Sequence, residues 1–170
     1  MLILRFDFRL KPGSPTTMQE LYSTALDMCQ WGERNNALTA MFSEHHSSPD
    51  GYLPSPIVMA AAAAARTETL TFNVGALLLL MYDPVKLAED IAVLDHLSSG
   101  RIGYTIGLGY REEEYAMFGI DSKQRGKEIE ERIRTLRNAL TGEPFEWRGR
   151  QIQIQPKPVT PGGPIIAYGG

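Results

Sequence analysis

The sequence has one cysteine, little net charge and no apolar run of membrane-spanning length, and each shortage excludes a class of protein. A single cysteine among 170 residues, Cys29, cannot form an internal disulfide, which fits a reducing cytoplasm. Lys and Arg number 17 against 20 Asp and Glu, so the basic surface that nucleic-acid binding requires is missing. The uncharged stretch at residues 70–82 is too short to span a bilayer. The sequence therefore predicts a cytoplasmic protein without a membrane or nucleic-acid partner.

Two common ligand-binding motifs are also missing. No G-x-G-x-x-G segment follows the first predicted strand, which removes the usual dinucleotide fingerprint. The adjacent histidines His45 and His46 can hardly reach one tetrahedral metal together, and no cysteine pair assists them. We therefore expect no metal site.

Strand and helix patterns alternate along the chain, which predicts the α/β class. The apolar strand patterns cover residues 3–10, 37–42, 70–81, 101–108 and 164–168. The helical patterns between them cover residues 17–35, 56–66, 83–97, 111–118 and 123–140, and residues 148–155 resemble an accessory strand. Regular alternation indicates parallel strands with right-handed crossovers. The third strand pattern is apolar at nearly every position and, like the fifth, predicts a buried strand.

Two architectures fit this order of elements. One is an open, doubly wound sheet, and the other is a (β/α) barrel. A complete barrel needs eight units and typically about 250 residues. The chain holds four units and the opening of a fifth, and we expect residues 1–170 to form a single domain.

The carboxyl ends of the strands are where chemistry gathers in parallel α/β sheets. Glu44, His45 and His46 directly follow the second predicted strand, and histidine is the natural proton carrier near neutral pH. The alternative for this pair is a hydrogen-bonded loop without catalytic duty. Glycine-bearing segments follow the other strands, where glycine permits a flat ligand to approach the backbone or simply relieves a tight turn. The run from Arg111 to Glu114 is typical of a solvated helix start.

Several segments together resemble the bacterial luciferase-like flavin monooxygenase family. They are Glu44-His45-His46, Thr67 to Gly75, Asp83 to Asp90, Leu94 to Arg101, Gly107 to Tyr110 with Glu114-Tyr115 and Phe118-Gly119, and Pro156 to Ile165. The D-x-L-S-x-G-R stretch with the preceding P-V-x-x-A-E is the most specific part. The resemblance covers essentially the whole chain.

The resemblance implies a (β/α)8 TIM barrel of which this chain is the N-terminal half. Family members use reduced FMN with oxygen on a small organic substrate, or the 5-deazaflavin coenzyme for hydride transfer. His45 matches the family's active-site histidine, which moves protons near the flavin ring, with Glu44 and His46 beside it. The implied cofactor-binding residues are Gly75, Ala76, Leu77, Leu78, Gly107, Leu108, Gly109, Tyr168, Gly169 and Gly170. A non-proline cis peptide is expected at Leu77–Leu78 or one residue earlier.

Three functions follow as expectations. The first is a flavin-dependent monooxygenase that uses FMN, with a flavin reductase as a possible partner. The second is a deazaflavin-dependent dehydrogenase or reductase, because Leu108 stands where luciferase has a phosphate-binding arginine and Gly107-x-Gly109-Tyr110 looks like the oxidoreductase branch. The third, of another class, is a non-catalytic half-barrel that self-associates, since such a sheet exposes its edges. A homodimer is the expected assembly.

Overall fold

The computed structural model describes residues 1–169, and strands and helices alternate along them. The strands are β1 (Leu2–Phe6), β2 (Ala37–Phe42), β3 (Thr71–Leu78), β4 (Ile102–Gly107), β5 (Phe145–Trp147), β6 (Arg150–Ile152) and β7 (Ile165–Gly169). The helices are α1 (Met18–Arg34), α2 (Pro56–Ala64), α3 (Pro84–Leu97), α4 (Glu112–Met117) and α5 (Arg125–Leu140), with a 3-10 turn at Leu79–Met81. Five strands form one parallel sheet in the order β1-β2-β3-β4-β7, which confirms the predicted α/β class.

The ends of the helices follow local sequence rules. The Glu20 backbone N–H donates to the Thr17 hydroxyl at 3.2 Å, and the Thr17 N–H donates to the Glu20 carboxylate at 2.8 Å. These two bonds form a capping box, which satisfies donors that the first turn of α1 leaves free. At α3 the Asp83 carboxylate accepts two backbone N–H groups, and Pro84 occupies the first turn. Both helices therefore begin within a residue of where the sequence predicts them.

The two faces of the parallel sheet differ in what covers them. Leu4, Ala40, Phe72 and Ile102 lie side by side in register, and all four are buried. Helix α1 packs on this face, because a Cβ at Gly32 would lie 2.6 Å from a Leu4 methyl group. The next row points to the opposite face, since side chains alternate along a strand. It runs from Arg5 through Met41, Asn73 and Gly103 to Ile165, and both of its ends are exposed. We call this second side the open face.

Three strand predictions are wrong in detail. The first strand stops at Phe6 instead of residue 10, because Phe8 adopts a left-handed backbone with φ of 57°. The third apolar run divides into β3 and a 3-10 turn, and Asn73 and Gly75 on the open face are only half-buried. The fifth strand is an edge strand rather than a buried one, and Ile165 is 80% exposed.

The predicted accessory strand at residues 148–155 is a hairpin. Strands β5 and β6 pair antiparallel through Phe145–Ile152 and Trp147–Arg150. The turn between them has positive φ at Arg148 (49°) and Gly149 (71°), as a tight hairpin turn requires. The Ile and Gln alternation of the sequence shows only the second of the two strands, so the first was missed.

The family-like D-x-L-S-x-G-R stretch joins elements at the amino edge of the sheet. The buried Asp95 carboxylate accepts the backbone N–H and the hydroxyl of Thr160 at 2.7 and 2.9 Å. The Arg101 guanidinium donates to the carbonyl oxygens of Ser98, Leu70, Ala64 and Thr67 and to the Thr67 hydroxyl. This stretch therefore fastens helices α2 and α3 and the loop before β7 to the start of β4.

The structure also describes the surroundings of the single cysteine and the lengths of the apolar helices. Cys29 is fully buried, and burial raises the pKa of its thiol to about 12, so the thiol is unreactive at neutral pH. No helix among the described residues is both long and apolar enough to cross a bilayer.

Candidate active site

The Glu44 carboxylate is the central acceptor of a buried hydrogen-bond network at the carboxyl edge of the sheet. Its side chain is fully buried just beyond the end of β2. The carboxylate accepts the Leu78 backbone N–H and the Tyr82 hydroxyl, at 2.8 and 2.6 Å, and its Oε1 lies 2.8 Å from Nε2 of His46. Burial, and then the charge of Glu44, raise the pKa of Tyr82, so the phenol stays a hydrogen-bond donor. Glu44 thereby ties the ends of β2 and β3 together.

A second buried carboxylate, that of Glu114 in α4, holds the loop after β2. Its Oε1 accepts the backbone N–H of His46 at 2.8 Å and lies 2.8 Å from Nδ1 of His45. The Glu114 side chain has no exposed surface, so the predicted solvated start of this helix is wrong at this position. The Glu114 side chain faces the loop after β2 rather than solvent, which the sequence of charges alone does not predict.

Arg111 brings a positive charge to the Glu114 carboxylate. Its Nη1 lies 3.6 Å from Oε1 of Glu114 and donates to the His46 carbonyl oxygen at 3.2 Å. The other Glu114 oxygen, Oε2, is buried and finds no hydrogen-bond partner among the described residues. Such a buried acceptor costs about 1–3 kcal/mol.

The His45 ring is the part of the network that reaches a cleft. Its side chain is 19% exposed, and its ring meets those of Tyr52 and Tyr110 edge-on, with centroids 4.6 and 5.7 Å apart. The cleft holds about 340 Å³ and is lined by Arg9, His45, Ser48, Pro49, Asp50, Tyr52, Tyr110 and Arg111. A site of this kind offers a proton carrier between aromatic walls.

An ion pair also lines this cleft. The Arg9 guanidinium lies 2.6 Å from the Asp50 carboxylate and packs over the Tyr52 ring. Hydrogen bonds from Ser48 and then from Arg9 lower the pKa of Asp50 to about 2. Because Asp50 neutralises Arg9, the cleft has no large excess of positive charge.

Next to this network, the residues of the open face have small side chains. We call this part of the face the small-residue floor. It consists of Gly75, Ala76, Thr105, Gly107, Ala167 and Gly169. The rows Gly75–Thr105–Ala167 and Gly107–Gly169 are set by strand register. A Cβ at Gly107 would lie 2.7 Å from the Ala76 Cβ, so glycine is required where β3 bulges. The floor is nearly flat, since Thr105 is its largest side chain, and Leu78 borders it with a methyl group 3.6 Å from the Cβ position of Gly107.

The structure brings some of the predicted cofactor-binding residues to this floor and leaves others elsewhere. The Leu77 side chain is buried on the helix-covered face, and the Tyr168 ring lies beneath Arg137 of α5 on that same side. The carbonyl oxygens of Leu108 and Gly109 both accept the Tyr115 hydroxyl at 2.9 Å. Leu78 contributes its N–H to Glu44, and Gly170 lies outside the described residues.

The cis peptide was predicted in the correct strand and at the wrong bond. It lies between Gly75 and Ala76, not at Leu77–Leu78 or one residue earlier. The physical reason is register: Leu77 pairs with Ile106 in the regular ladder, so the irregular position must come before it. The register with β4 shifts between Gly75 and Leu77.

The sequence pattern does not predict that Arg111, Glu114 and Tyr82 contact the three predicted catalytic residues, since Arg111 to Glu114 is typical of a solvated helix start. Glu114, Arg111 and Tyr82 contact them from 38 or more residues away along the chain, and the shortest of these separations is that between Tyr82 and Glu44. Glu114 does belong to one of the segments that resemble the luciferase-like family, and this is the one sequence feature that pointed to it. No group of three His, Cys, Asp or Glu side chains suited to a metal ion occurs among residues 1–169.

A comparison with models of protein families finds a match over nearly the whole chain. The profile described as luciferase-like monooxygenase matches residues 3–170. The chain belongs to the luciferase-like monooxygenase family. The resemblance drawn from short motifs is therefore confirmed.

Individual relatives of this luciferase-like chain are distant in sequence. The oxygenase component of the flavin-dependent trigonelline monooxygenase of Acinetobacter baylyi is 27% identical over 157 residues, covering 88% of this chain and 43% of its own. Among solved structures, the monooxygenase RslO1 of Streptomyces bottropensis has a TM-score of 0.87 at 24% identity, covering 99% and 53% of the two chains. The oxygenating constituent of 3,6-diketocamphane monooxygenase of Pseudomonas putida, solved in complex with FMN, has a TM-score of 0.81 at 23% identity over 98% and 50%.

The luciferase-like chain thus spans about half the length of the relatives that it matches. The structural similarity at these identities shows a shared fold and nothing further. Five parallel strands are described here, whereas a complete (β/α)8 barrel has eight.

Proposed function

We propose that this chain holds the ring of a flavin against the small-residue floor and that His45 moves protons there in a monooxygenase reaction. The observation that carries the proposal is the position of His45. Its ring lies at the carboxyl edge, is fixed by a buried carboxylate, and still reaches a cleft with aromatic walls. A proton carrier needs both properties, a fixed geometry and access to the reacting molecule.

The floor suits a planar ring because all of its residues except Thr105 have a side chain no larger than a methyl group. Gly75, Gly107 and Gly169 present backbone, and Ala76 and Ala167 present single methyl groups. A flat aromatic system can therefore lie in van der Waals contact with the sheet. Reduced flavin, when bound, supplies the electrons that monooxygenation of a small organic substrate requires.

FMN is the cofactor we favour, and a flavin reductase is the partner that would deliver it reduced. A relative solved in complex with FMN supports the cofactor, and the name of another, the oxygenase component of a flavin-dependent monooxygenase, supports a separate component that reduces the flavin. The 5-deazaflavin coenzyme remains the alternative, because Leu108 offers no charge to an FMN phosphate. In the complete protein we propose a (β/α)8 barrel, of which the described sheet supplies the first five strands.

Flavin binding by the purified chain tests this proposal directly. FMN, reduced FMN under argon, FAD and the 5-deazaflavin coenzyme are each titrated with protein while flavin fluorescence or absorbance is followed. We expect saturable binding of FMN in at least one redox state. Binding of the deazaflavin alone would replace FMN by the alternative, and binding of no flavin would overturn the proposal for this chain.

A pair of variants locates the binding surface. Ala167→Phe places a ring on the small-residue floor and should weaken flavin binding at least tenfold. Ile165→Phe makes the same kind of change two residues earlier, about 7 Å away on the same face of β7, and should leave binding within about twofold of wild type. Equal effects of the two variants would remove the floor from the proposal.

The open face itself favours a second candidate function of another class. Strands β1 and β7 form the two edges of the sheet, and Ile3 and Ile165 on the open face are 43% and 80% exposed. Sheet edges and apolar faces of this kind promote self-association. The alternative function is a non-catalytic half-barrel that forms a homodimer through its open face.

Sedimentation equilibrium over a wide concentration range tests the dimer. Ile165→Lys puts a charge on the open face and should weaken association at least tenfold, whereas the same change at Val58 of α2, which is 70% exposed, should not. A monomer at every concentration would exclude this candidate.

A further inference from the structure

The two neighbouring histidines are held by different carboxylates through different ring nitrogens. His45 meets Oε1 of Glu114 with Nδ1, and His46 meets Oε1 of Glu44 with Nε2, each at 2.8 Å. Both carboxylate side chains are fully buried. The third histidine, His96, directs Nε2 to the Lys157 carbonyl oxygen at 2.8 Å.

These contacts determine where the imidazole protons are. Oε1 of Glu114 already accepts the backbone N–H of His46, so it is an acceptor, and Nδ1 of His45 at the same oxygen must carry a proton. A neutral imidazole carries one N–H, which leaves Nε2 of His45 as a proton acceptor. At His46 the contact with Glu44, and at His96 the contact with a carbonyl oxygen, require the opposite arrangement.

We propose that Glu114 is a positioning residue that fixes His45 as the Nδ1–H tautomer, while Glu44 fixes His46 as the Nε2–H tautomer. His45 then presents the lone pair of Nε2 to the cleft, and His46 is locked into the scaffold. The assignment of the tautomers stands on these contacts alone. Its consequence, that His45 takes a proton through Nε2 during turnover, rests on the proposed flavin function.

The surroundings of His45 support a positioning duty for Glu114. Arg111, 3.6 Å from the same carboxylate oxygen, offsets part of its charge, and the Arg9–Asp50 pair is neutral overall. Tyr52 and Tyr110 restrict rotation of the ring from two sides. The Glu114 side chain is fully buried, and its Oε1 meets both the His45 ring and the His46 backbone N–H, so the carboxylate is held against the histidine segment.

Long-range ¹H–¹⁵N correlation of the histidine rings, recorded well above the pH at which they lose their charge, reads each tautomer without any flavin. We expect one Nδ1–H pattern and two Nε2–H patterns, and His45→Gln should remove the Nδ1–H pattern alone. An Nε2–H pattern for His45 in the wild-type chain would overturn the proposal, even if flavin binds. Failure to bind flavin would leave the proposal intact and overturn only the proposed function.

Two substitutions of Glu114 separate positioning from folding. Glu114→Ala removes the acceptor and should shift the tautomer ratio of His45 about tenfold or more towards Nε2–H, whereas Glu114→Gln keeps an acceptor oxygen and should restore Nδ1–H. Unchanged patterns of His46 and His96 verify the fold in each variant. If Glu114→Ala does not fold, the wild-type and Glu114→Gln spectra still decide, because Nε2–H in either would contradict the assignment.

Discussion

Two tyrosine hydroxyl groups, buried in different surroundings, give the sharpest test of the network around Glu44. The Tyr82 hydroxyl donates to the fully buried Glu44 carboxylate at 2.6 Å. The Tyr104 hydroxyl, on a residue with no exposed surface, finds no hydrogen-bond partner within residues 1–169. Burial raises the pKa of both phenols, so both keep their protons at neutral pH. Tyr→Phe removes the same oxygen atom at each position.

The expected costs differ because only one hydroxyl has a bond to lose. A hydrogen bond to a charged group contributes about 1.5–3 kcal/mol, and since Glu44 keeps two other donors we expect Tyr82→Phe to cost about 2 kcal/mol. Tyr104→Phe removes a buried polar group that has nothing to bond, so it should be neutral within about 0.5 kcal/mol or stabilising.

Urea unfolding of the two variants beside wild type measures the difference. With a slope of about 2 kcal/mol per molar urea, Tyr82→Phe should lower the midpoint by about 1 M, and Tyr104→Phe should not lower it. Equal slopes would verify that only stability has changed. The reasoning fails if both variants lose the same amount, or if Tyr82→Phe unfolds with wild type.

Three further predictions concern the frame of the site. Gly107→Ala should destabilise the chain by about 1–3 kcal/mol, since its Cβ would lie 2.7 Å from that of Ala76, and adding Ala76→Gly should recover most of the loss in urea unfolding. Partial burial opposes ionisation of the Glu33 carboxyl, but hydrogen bonds from three backbone N–H groups outweigh it and lower the pKa of Glu33 in the folded chain. Glu33 therefore stabilises the fold at pH values above its pKa in the unfolded chain, and this stabilisation is lost as the pH falls through its pKa in the folded chain. Glu33→Gln should therefore cost about 1 kcal/mol at pH 7, allowing for solvent screening, and less near pH 3 by the same assay. Arg101→Lys, which cannot reproduce a planar fork donating to three elements, should lower the thermal midpoint by several degrees, read by circular dichroism.

Local patterns predicted the order of elements well because each was decided by neighbours in sequence. The capping box at Thr17 and Glu20 and the bounds of β2 needed only contacts within a few residues. The position of β7 at an edge could not be predicted this way, because a strand's neighbours come from other parts of the chain. The early end of β1 depends on the backbone at Phe8, a residue type that rarely adopts positive φ.

At the candidate site, the position of Glu44, His45 and His46 after β2 predicted which segment lies there. The residues that contact this segment could not be predicted, because they are far away along the chain. Glu114 contacts His45 across 69 residues, and its helix begins with three glutamates that look alike in sequence. Glu112 and Glu113 are exposed, whereas Glu114 is fully buried. Which of three equivalent carboxylates turns inward is decided by how α4 lies across the sheet edge.

The most specific motif and the candidate site lie at opposite edges of the sheet, and this separation limits what the motif can imply. Asp95 and Arg101 fasten helices to the amino edge, where residues of such folds serve stability. His45 and Glu114 lie at the carboxyl edge, where loops vary and chemistry occurs. A chain can therefore keep the motif, and with it membership of the family, while its carboxyl edge acquires another substrate or loses activity. Tests of function in this protein must consequently act on the small-residue floor and on His45 rather than on the motif that identifies the family.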